Sequence, residues 1–154
     1  MKRAICIALI SIIAAFSIIA NAKKKQPITL NRIYLECNAL TTSYTFSELR
    51  GTIAGCLTQN GYILVHSADE ADWTIQVVGS CGAQKQTAIG SSTLYTTDVI
   101  VSIMIDRGAY AKRVFETNLK AKGKHLADFD EAAVDAYTHL SPQICETIMQ
   151  QIAK

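Results

Sequence analysis

The chain has little proline and no internal repeat, and its cysteines lack the spacing of common metal and redox motifs. Only Pro27 and Pro142 occur among 154 residues, and no low-complexity tract interrupts the sequence, which indicates one compact unit. No C-x-x-C pair is present, so zinc binding through cysteine pairs is disfavoured. Dithiol redox chemistry is excluded for the same reason.

Sequence motifs that would define a catalytic site are absent as well. The serines of Gly90-Ser91-Ser92-Thr93 do not lie in a G-x-S-x-G nucleophile elbow, and the glycines between residues 79 and 90 do not have the spacing of a phosphate-binding loop. No two histidines are spaced as metal ligands on one helix face. The only histidines are His66, His125 and His139. We therefore expect no catalytic residues, no metal and no cofactor.

The first 22 residues have the order of a secretory signal peptide. Lys2 and Arg3 precede an apolar run from Ala4 to Ala20, and Ala20-Asn21-Ala22 is a small-x-small cleavage site. A transmembrane anchor is the alternative, but the run is near the lower limit of length for crossing a bilayer. No lipid-acceptor cysteine follows the cleavage site. We expect residues 1–22 to be cleaved, residues 23–154 to form a single domain, and the mature protein to be periplasmic or secreted without stable membrane insertion.

Removal of this leader leaves an electrically balanced chain with an even number of cysteines. Two of the 15 basic residues leave and all 13 acidic residues stay, so the electrostatic support for binding nucleic acid disappears. Cys37, Cys56, Cys81 and Cys145 remain. In an oxidising compartment an even set predicts two disulfides, with buried thiols as the alternative.

Hydrophobic periodicity predicts the order β-α-β-β-β-β-α. Strands are predicted over residues 32–37, 62–66, 73–78, 94–105 and 112–122, and helices over residues 46–59 and 129–152. Ser141-Pro142 is expected to kink or break the second helix, because proline has no amide donor. Residues 79–93 are rich in Gly, Ser, Thr and Gln and are predicted to form a mobile loop. We expect an α+β fold in which two amphipathic helices pack on one face of a mostly antiparallel sheet of about five strands.

This topology leads to a hypothesis for the disulfides. A right-handed crossover makes the first two strands parallel, and the short connection to the third strand favours an antiparallel arrangement there. With those directions, Cys37 and Cys145 lie at one end of the sheet, and Cys56 and Cys81 at the other. The predicted pairs are Cys37–Cys145 and Cys56–Cys81.

The stretch Ala71-Asp72-Trp73 enters a strand and is followed by a long hairpin and a closing amphipathic helix. In this order the chain resembles small bacterial envelope domains, namely the LpoB-like activators of penicillin-binding proteins and the N-terminal domain of TolB. The resemblance covers residues 33–152 and implies a non-catalytic domain that binds other envelope proteins. The chain departs from the lipoprotein members because it lacks a lipid-acceptor cysteine and keeps four mature cysteines, so the resemblance implies no specific partner.

These observations lead us to expect a non-catalytic protein-binding module of the bacterial envelope, whose partner is another envelope or secreted protein. The expected binding surfaces are the loop Gly82–Thr93 and the polar outer face of the sheet, where Glu36 and Thr74 also lie. The candidate binding residues are Gln84, Lys85, Gln86, Ser91, Ser92, Thr93, Tyr34 and Gln76. The alternatives are an exported inhibitor or immunity protein and a small hydrolase that uses His66 or His139.

Overall fold

The computed structural model describes residues 31–39, 43–110 and 112–153. The predicted signal peptide, residues 1–22, lies outside the described residues. The elements are β1 (Arg32–Ala39), α1 (Ser43–Gln59), β2 (Ile63–Leu64), a 3-10 turn (Ala68–Glu70), β3 (Trp73–Ile89), β4 (Ser92–Arg107), β5 (Lys112–His125) and α2 (Phe129–Ile152). No helix in these ranges is long and apolar enough to cross a membrane.

Five strands form one sheet in the order β2-β1-β3-β4-β5, and both helices pack on the same face. Alternate residues of β4, from Val99 to Ile105, have no exposed surface because each points from the pleated strand towards the helices. The stripe Leu140, Ile144 and Ile148 of α2 is buried against them. This arrangement confirms the predicted α+β fold, with two helices on one face of a mostly antiparallel five-stranded sheet.

The direction of β3 differs from the prediction. Both β2 and β3 pair with β1 in parallel, so β3 runs in the same direction as β2 instead of antiparallel to it. The strand β2 has only two residues, and Leu64 and Trp73 both pair with Ile33. The last residue of β2 and the first residue of β3 both lie beside Ile33, on opposite sides of β1. The short connection therefore only has to cross the N-terminal start of β1, and it does not run back along that strand.

This one difference in direction also overturns both predicted disulfides. With β3 parallel to β1, the helix α2 runs opposite to the predicted direction, and its C-terminal half lies beside the C-terminal half of α1. The structure joins Cys56 to Cys145, with Cα atoms 6.4 Å apart. Cys37–Cys145 and Cys56–Cys81 are therefore wrong, and Cys37 and Cys81 lie outside the disulfide.

The helix α2 is continuous through Pro142, so the predicted break does not occur. The Ser141 hydroxyl donates to the Tyr137 carbonyl at 2.8 Å. Pro142 lies on the exposed side of α2, where water can reach a backbone carbonyl that lacks its helical donor. Packing of Leu140 and Ile144 on either side of the proline keeps the helix in one piece.

The segment predicted as a mobile loop, residues 79–93, instead forms the outer part of the β3–β4 hairpin. Residues Gln84 to Ile89 pair antiparallel with Ser92 to Thr97, after an irregularity between Cys81 and Gln84. Gly90 has a φ of 60° in the connecting turn, a conformation that glycine adopts without strain. The polar composition was misleading because ladder hydrogen bonds form between backbone groups and need no apolar side chain.

Candidate functional site

The outer part of the β3–β4 hairpin, residues 80–94, extends beyond the end of β1, and its tip, residues 87–94, also extends beyond β5. The strand β1 follows β3 only as far as the pair Ala39–Gly79, and β5 follows β4 only as far as the pair Tyr95–His125. Every residue from Gly82 to Ser92 is exposed. We call this region the distal hairpin.

The distal hairpin contains six of the eight predicted binding residues. Gln84, Lys85 and Gln86 lie on β3 and Ser91 lies in the turn, while Ser92 and Thr93 begin β4. Within the described part of the chain, the edge of β3 that faces away from β4 pairs with no strand from Ser80 onwards. From Gly82 to Ile89, this edge of β3 is exposed and is joined to no other described strand.

Sequence reasoning missed Ile89, which lies at the tip of the distal hairpin. Its side chain is 53% exposed, and it pairs with Ser92 next to the turn. The only signal in the sequence is an isolated isoleucine in a polar stretch. An exposed aliphatic side chain at a tip can contribute apolar contact to a partner, since a few buried anchors carry most interface energy.

The other two predicted residues, Tyr34 and Gln76, lie on the outer face of the sheet, which the helices do not cover. Here the Glu36 carboxylate accepts hydrogen bonds from the side-chain amides of Asn38 at 3.0 Å and Gln76 at 3.1 Å. The Tyr110 hydroxyl donates to the same carboxylate at 3.2 Å. Hydrogen bonds from Asn38 and Gln76, which outweigh partial burial, hold the pKa of Glu36 below its ordinary value. The carboxylate is thus charged at neutral pH.

Tyr110 is part of this cluster although it is 74 residues from Glu36 in sequence, and sequence reasoning did not find it. The β4–β5 turn folds over the outer face because the Thr74 hydroxyl donates to the Gly108 carbonyl at 2.9 Å. Thr74 is fully buried as a result. Burial first, and the hydrogen bond to Glu36 second, raise the pKa of Tyr110.

The two sets of predicted residues form separate surfaces. Gln76 and Gln84 lie on the same strand, eight positions apart, which corresponds to about 26 Å at a rise of about 3.3 Å per residue. The structure therefore does not bring Tyr34 and Gln76 together with the residues of the distal hairpin.

The Ala71-Asp72-Trp73 motif has a structural role at the opposite end of the sheet. The Asp72 carboxylate accepts from the Arg32 amide at 2.8 Å, and the Asp72 carbonyl accepts from the Gly108 amide at 2.8 Å. The Arg107 guanidinium lies 5.7 Å from the ring centre of Trp73. The motif thus ties the start of β1 to the β4–β5 turn.

A groove with a volume of about 600 Å³ runs between α1 and α2 on the outside of the helix layer. Gly51 and Gly55 line it, and a Cβ atom added at either glycine would meet nothing within 4 Å. The disulfide cysteines form part of its wall. Its titratable lining is limited to Glu48, Tyr137 and those cysteines, so the groove offers no set of acid and base groups.

The histidines proposed for a hydrolase do not form a site. His66 is exposed, and His139 is 65% exposed and lies 3.7 Å from Asp135 on the same helix. Across residues 31–39, 43–110 and 112–153, no group of His, Cys, Asp or Glu side chains could hold a metal ion. The geometry therefore gives no support to the hydrolase alternative.

No protein-family model matches the chain, and no curated protein matches it. Solved structures do share its fold. A minor lipoprotein from Acinetobacter baumannii is similar with a TM-score of 0.54 and 17% identity, over 77% of this chain and 92% of that chain. The rare lipoprotein B from Shewanella oneidensis is similar with a TM-score of 0.51 and 11% identity, over 80% of this chain and 97% of that chain. At the level of the fold, both structures agree with the resemblance to envelope domains that the sequence indicated.

Proposed function

We propose that this chain is an exported envelope accessory protein that binds another envelope protein through its distal hairpin, without catalysis. The predicted signal peptide supports export. The fold shared with bacterial lipoproteins supports a place in the envelope.

The exposed edge of β3 from Gly82 to Ile89 is the observation that carries the proposal. A long unpaired strand edge is a template for another strand, and proteins usually protect such edges with charged residues. The outer strand β5 is protected in this way by Lys112, Lys120, Lys122 and Lys124, all of which are exposed. The distal part of β3 carries a single charge, at Lys85.

The proposed mode of binding is the addition of a strand from the partner to this edge. Backbone hydrogen bonds supply affinity in such complexes, and alternate side chains supply specificity. Gln84 and Gln86 project to one side of the hairpin and Lys85 to the other, so polar contacts are available on both. Ile89 offers apolar contact at the tip.

A shortened hairpin tests this proposal without disturbing the core. Replacing residues 87–94 with Asn-Gly closes a two-residue turn directly after the pair Gln86–Tyr95. The contact between the rings of Tyr95 and Phe129, 5.1 Å between centroids, is retained. The variant keeps the edge as far as Gln86 and removes Thr87, Ala88 and Ile89. We therefore expect it to keep its thermal stability and to capture clearly less of the partner that the intact oxidised protein captures by crosslinking in its own cell envelope.

A matched control is Lys120→Gln, which alters an exposed side chain on β5 and leaves the distal hairpin intact. It should capture the same partner as the intact protein. Equal capture by the shortened variant would contradict the proposal. The identity of the partner would then distinguish envelope assembly from neutralisation of a toxin or hydrolase.

A further inference from the structure

The Glu36 carboxylate on the outer face carries a negative charge that its neighbours do not neutralise. Its three hydrogen-bond donors, from Asn38, Gln76 and Tyr110, are all neutral groups. The ion pairs found in the described ranges do not include Glu36. The charge is therefore held in a fixed orientation and is left for a group outside this cluster.

No arginine of the described residues forms an ion pair with Glu36. Arg32 lies on the same face of β1, two residues before Tyr34. Arg113 contacts Asp106 and Glu116, and Arg107 lies against the Trp73 ring.

Two tyrosines accompany the carboxylate. Tyr34 precedes Glu36 by two residues on β1 and so lies on the same outer face. Tyr110 is 49% exposed and has a φ of 58°, a left-handed conformation that side chains other than glycine rarely adopt. Such strain persists only where surrounding contacts impose it. Here those contacts are the hydrogen bonds that hold Gly108 to Thr74 and Asp72 and the hydrogen bond from Tyr110 to Glu36.

We propose that Glu36, Tyr34 and Tyr110 form a binding site for an organic cation, that is, an ammonium or guanidinium group. A carboxylate attracts the charge, and phenol rings attract a cation through their electron-rich faces. A second carboxylate or a phosphate would be repelled by Glu36. The amides of Gln76 and Asn38 act as positioning groups, because they fix the carboxylate rather than touch the ligand.

This site does not depend on the distal hairpin, whose first candidate binding residue, Gln84, lies about 26 Å further along β3 by the strand rise. The cation could come from an arginine side chain of a polypeptide or from a small molecule that carries a quaternary ammonium group. Both sources present the same chemistry to Glu36, and a titration separates them.

The first experiment is an NMR titration of the isotope-labelled mature protein. The probes are choline and an N-acetylated arginine amide, each compared with its uncharged isostere (the carbon analogue of choline and the citrulline amide). We expect saturable shifts of the Gln76 and Asn38 side-chain amides with the two cations and none with the isosteres. Tighter binding of the arginine amide would indicate a polypeptide source, and tighter binding of choline a small-molecule source.

Variants locate the binding on this cluster. Glu36→Gln should weaken cation binding about tenfold or more, since it removes the charge and keeps the shape. Tyr110→Gly, which tolerates the left-handed backbone, should weaken it about two- to fivefold through loss of the ring. The control Glu116→Gln makes the same charge change on the same face, about 14 Å away across three strand spacings, and should bind within about twofold of the unmodified protein.

Three results would overturn the proposal. The first is the absence of saturable shifts with either cation in the unmodified protein, which requires no variant to fold. The second is equal response to a cation and its uncharged isostere. The third is equal loss of binding in Glu36→Gln and Glu116→Gln, which would indicate a diffuse charge effect.

Discussion

Gly123 marks the closest approach between the sheet and α2, and an alanine there should destabilise the protein strongly. A Cβ atom at this position would lie 1.7 Å from the Ala132 carbonyl oxygen and 2.6 Å from the Ala136 amide nitrogen. Both are backbone atoms of a helix, so no side-chain rotation can relieve the clash. The helix must move away by about 2 Å to restore an ordinary contact distance.

The first half of α2 resists such a movement. The Thr97 hydroxyl donates to the Phe129 carbonyl at 3.2 Å, and the Lys124 amide donates to the Asp135 carboxylate at 2.9 Å. Ala132 is fully buried against the sheet. We therefore expect Gly123→Ala to lower the free energy of unfolding by about 3 kcal/mol, the upper end of the usual overpacking range. This corresponds to a fall in Tm of about 10 °C for a domain of this size.

Thermal and urea unfolding of the oxidised protein, followed by circular dichroism, measure this effect. The control Gly51→Ala makes the same substitution on α1, where an added Cβ meets nothing within 4 Å. It should raise the free energy of unfolding by about 0.5–1 kcal/mol, because alanine favours a helix interior over glycine. A Gly123→Ala variant within about 0.5 kcal/mol of the unmodified protein would refute the close contact.

Further predictions concern the cysteines, Asp72 and Glu36. Reduction of Cys56–Cys145 should lower the free energy of unfolding by about 4–5 kcal/mol in the chain-entropy model, because the two cysteines are 89 positions apart in sequence. An unchanged urea midpoint after reduction would argue against this stabilisation. Burial raises the pKa of the Cys37 thiol to about 12, so iodoacetamide should modify Cys37 at neutral pH only after the protein unfolds. Rapid labelling of Cys37 in the native protein would contradict this prediction. Asp72→Ala should cost about 1–2 kcal/mol in urea unfolding through loss of the bond to the first amide of β1, and no loss would refute that role. Because the pKa of Glu36 is lowered in the folded state, the ionised carboxylate stabilises the fold above the ordinary carboxyl range, and this stabilisation is lost as the pH falls through the lowered value. The Tm of Glu36→Gln should therefore fall less with decreasing pH than the Tm of the unmodified protein. Measuring Tm across an acid titration of both proteins checks this.

The core and the helices could be predicted from the sequence because burial imposes a period on side chains. Val99, Val101, Ile103 and Ile105 alternate along β4 and are buried together. The helix α2 begins at residue 129, as the periodicity predicts. The Asp128 side chain caps it by accepting from the Glu131 amide at 2.8 Å.

The strand directions could not be predicted in the same way, because periodicity says which face a residue occupies and not which way the strand runs. The two-residue strand β2 is too short to show a period, and its length decides the direction of β3. Both disulfide errors followed from that single step, since the positions of Cys81 and Cys145 depend on it.

The candidate sites were only partly predictable for a different reason. The distal hairpin was selected as a surface because it is polar. Its strands escaped notice because Gly82 to Ser92 are all exposed and no buried face imposes a period on them. The contact between Tyr110 and Glu36 depends on a turn that folds over the sheet. Residues 74 positions apart in sequence give no local signal of such a contact.

Position-specific photo-crosslinking in the native cell envelope tests the proposed function most directly. A photoreactive residue at Gln86 reports on the edge of the distal hairpin, and one at Lys120 reports on the protected strand β5. We predict one discrete protein adduct from Gln86 and none of the same mass from Lys120. No adduct at Gln86, or the same adducts from both positions, would contradict a binding function of the distal hairpin.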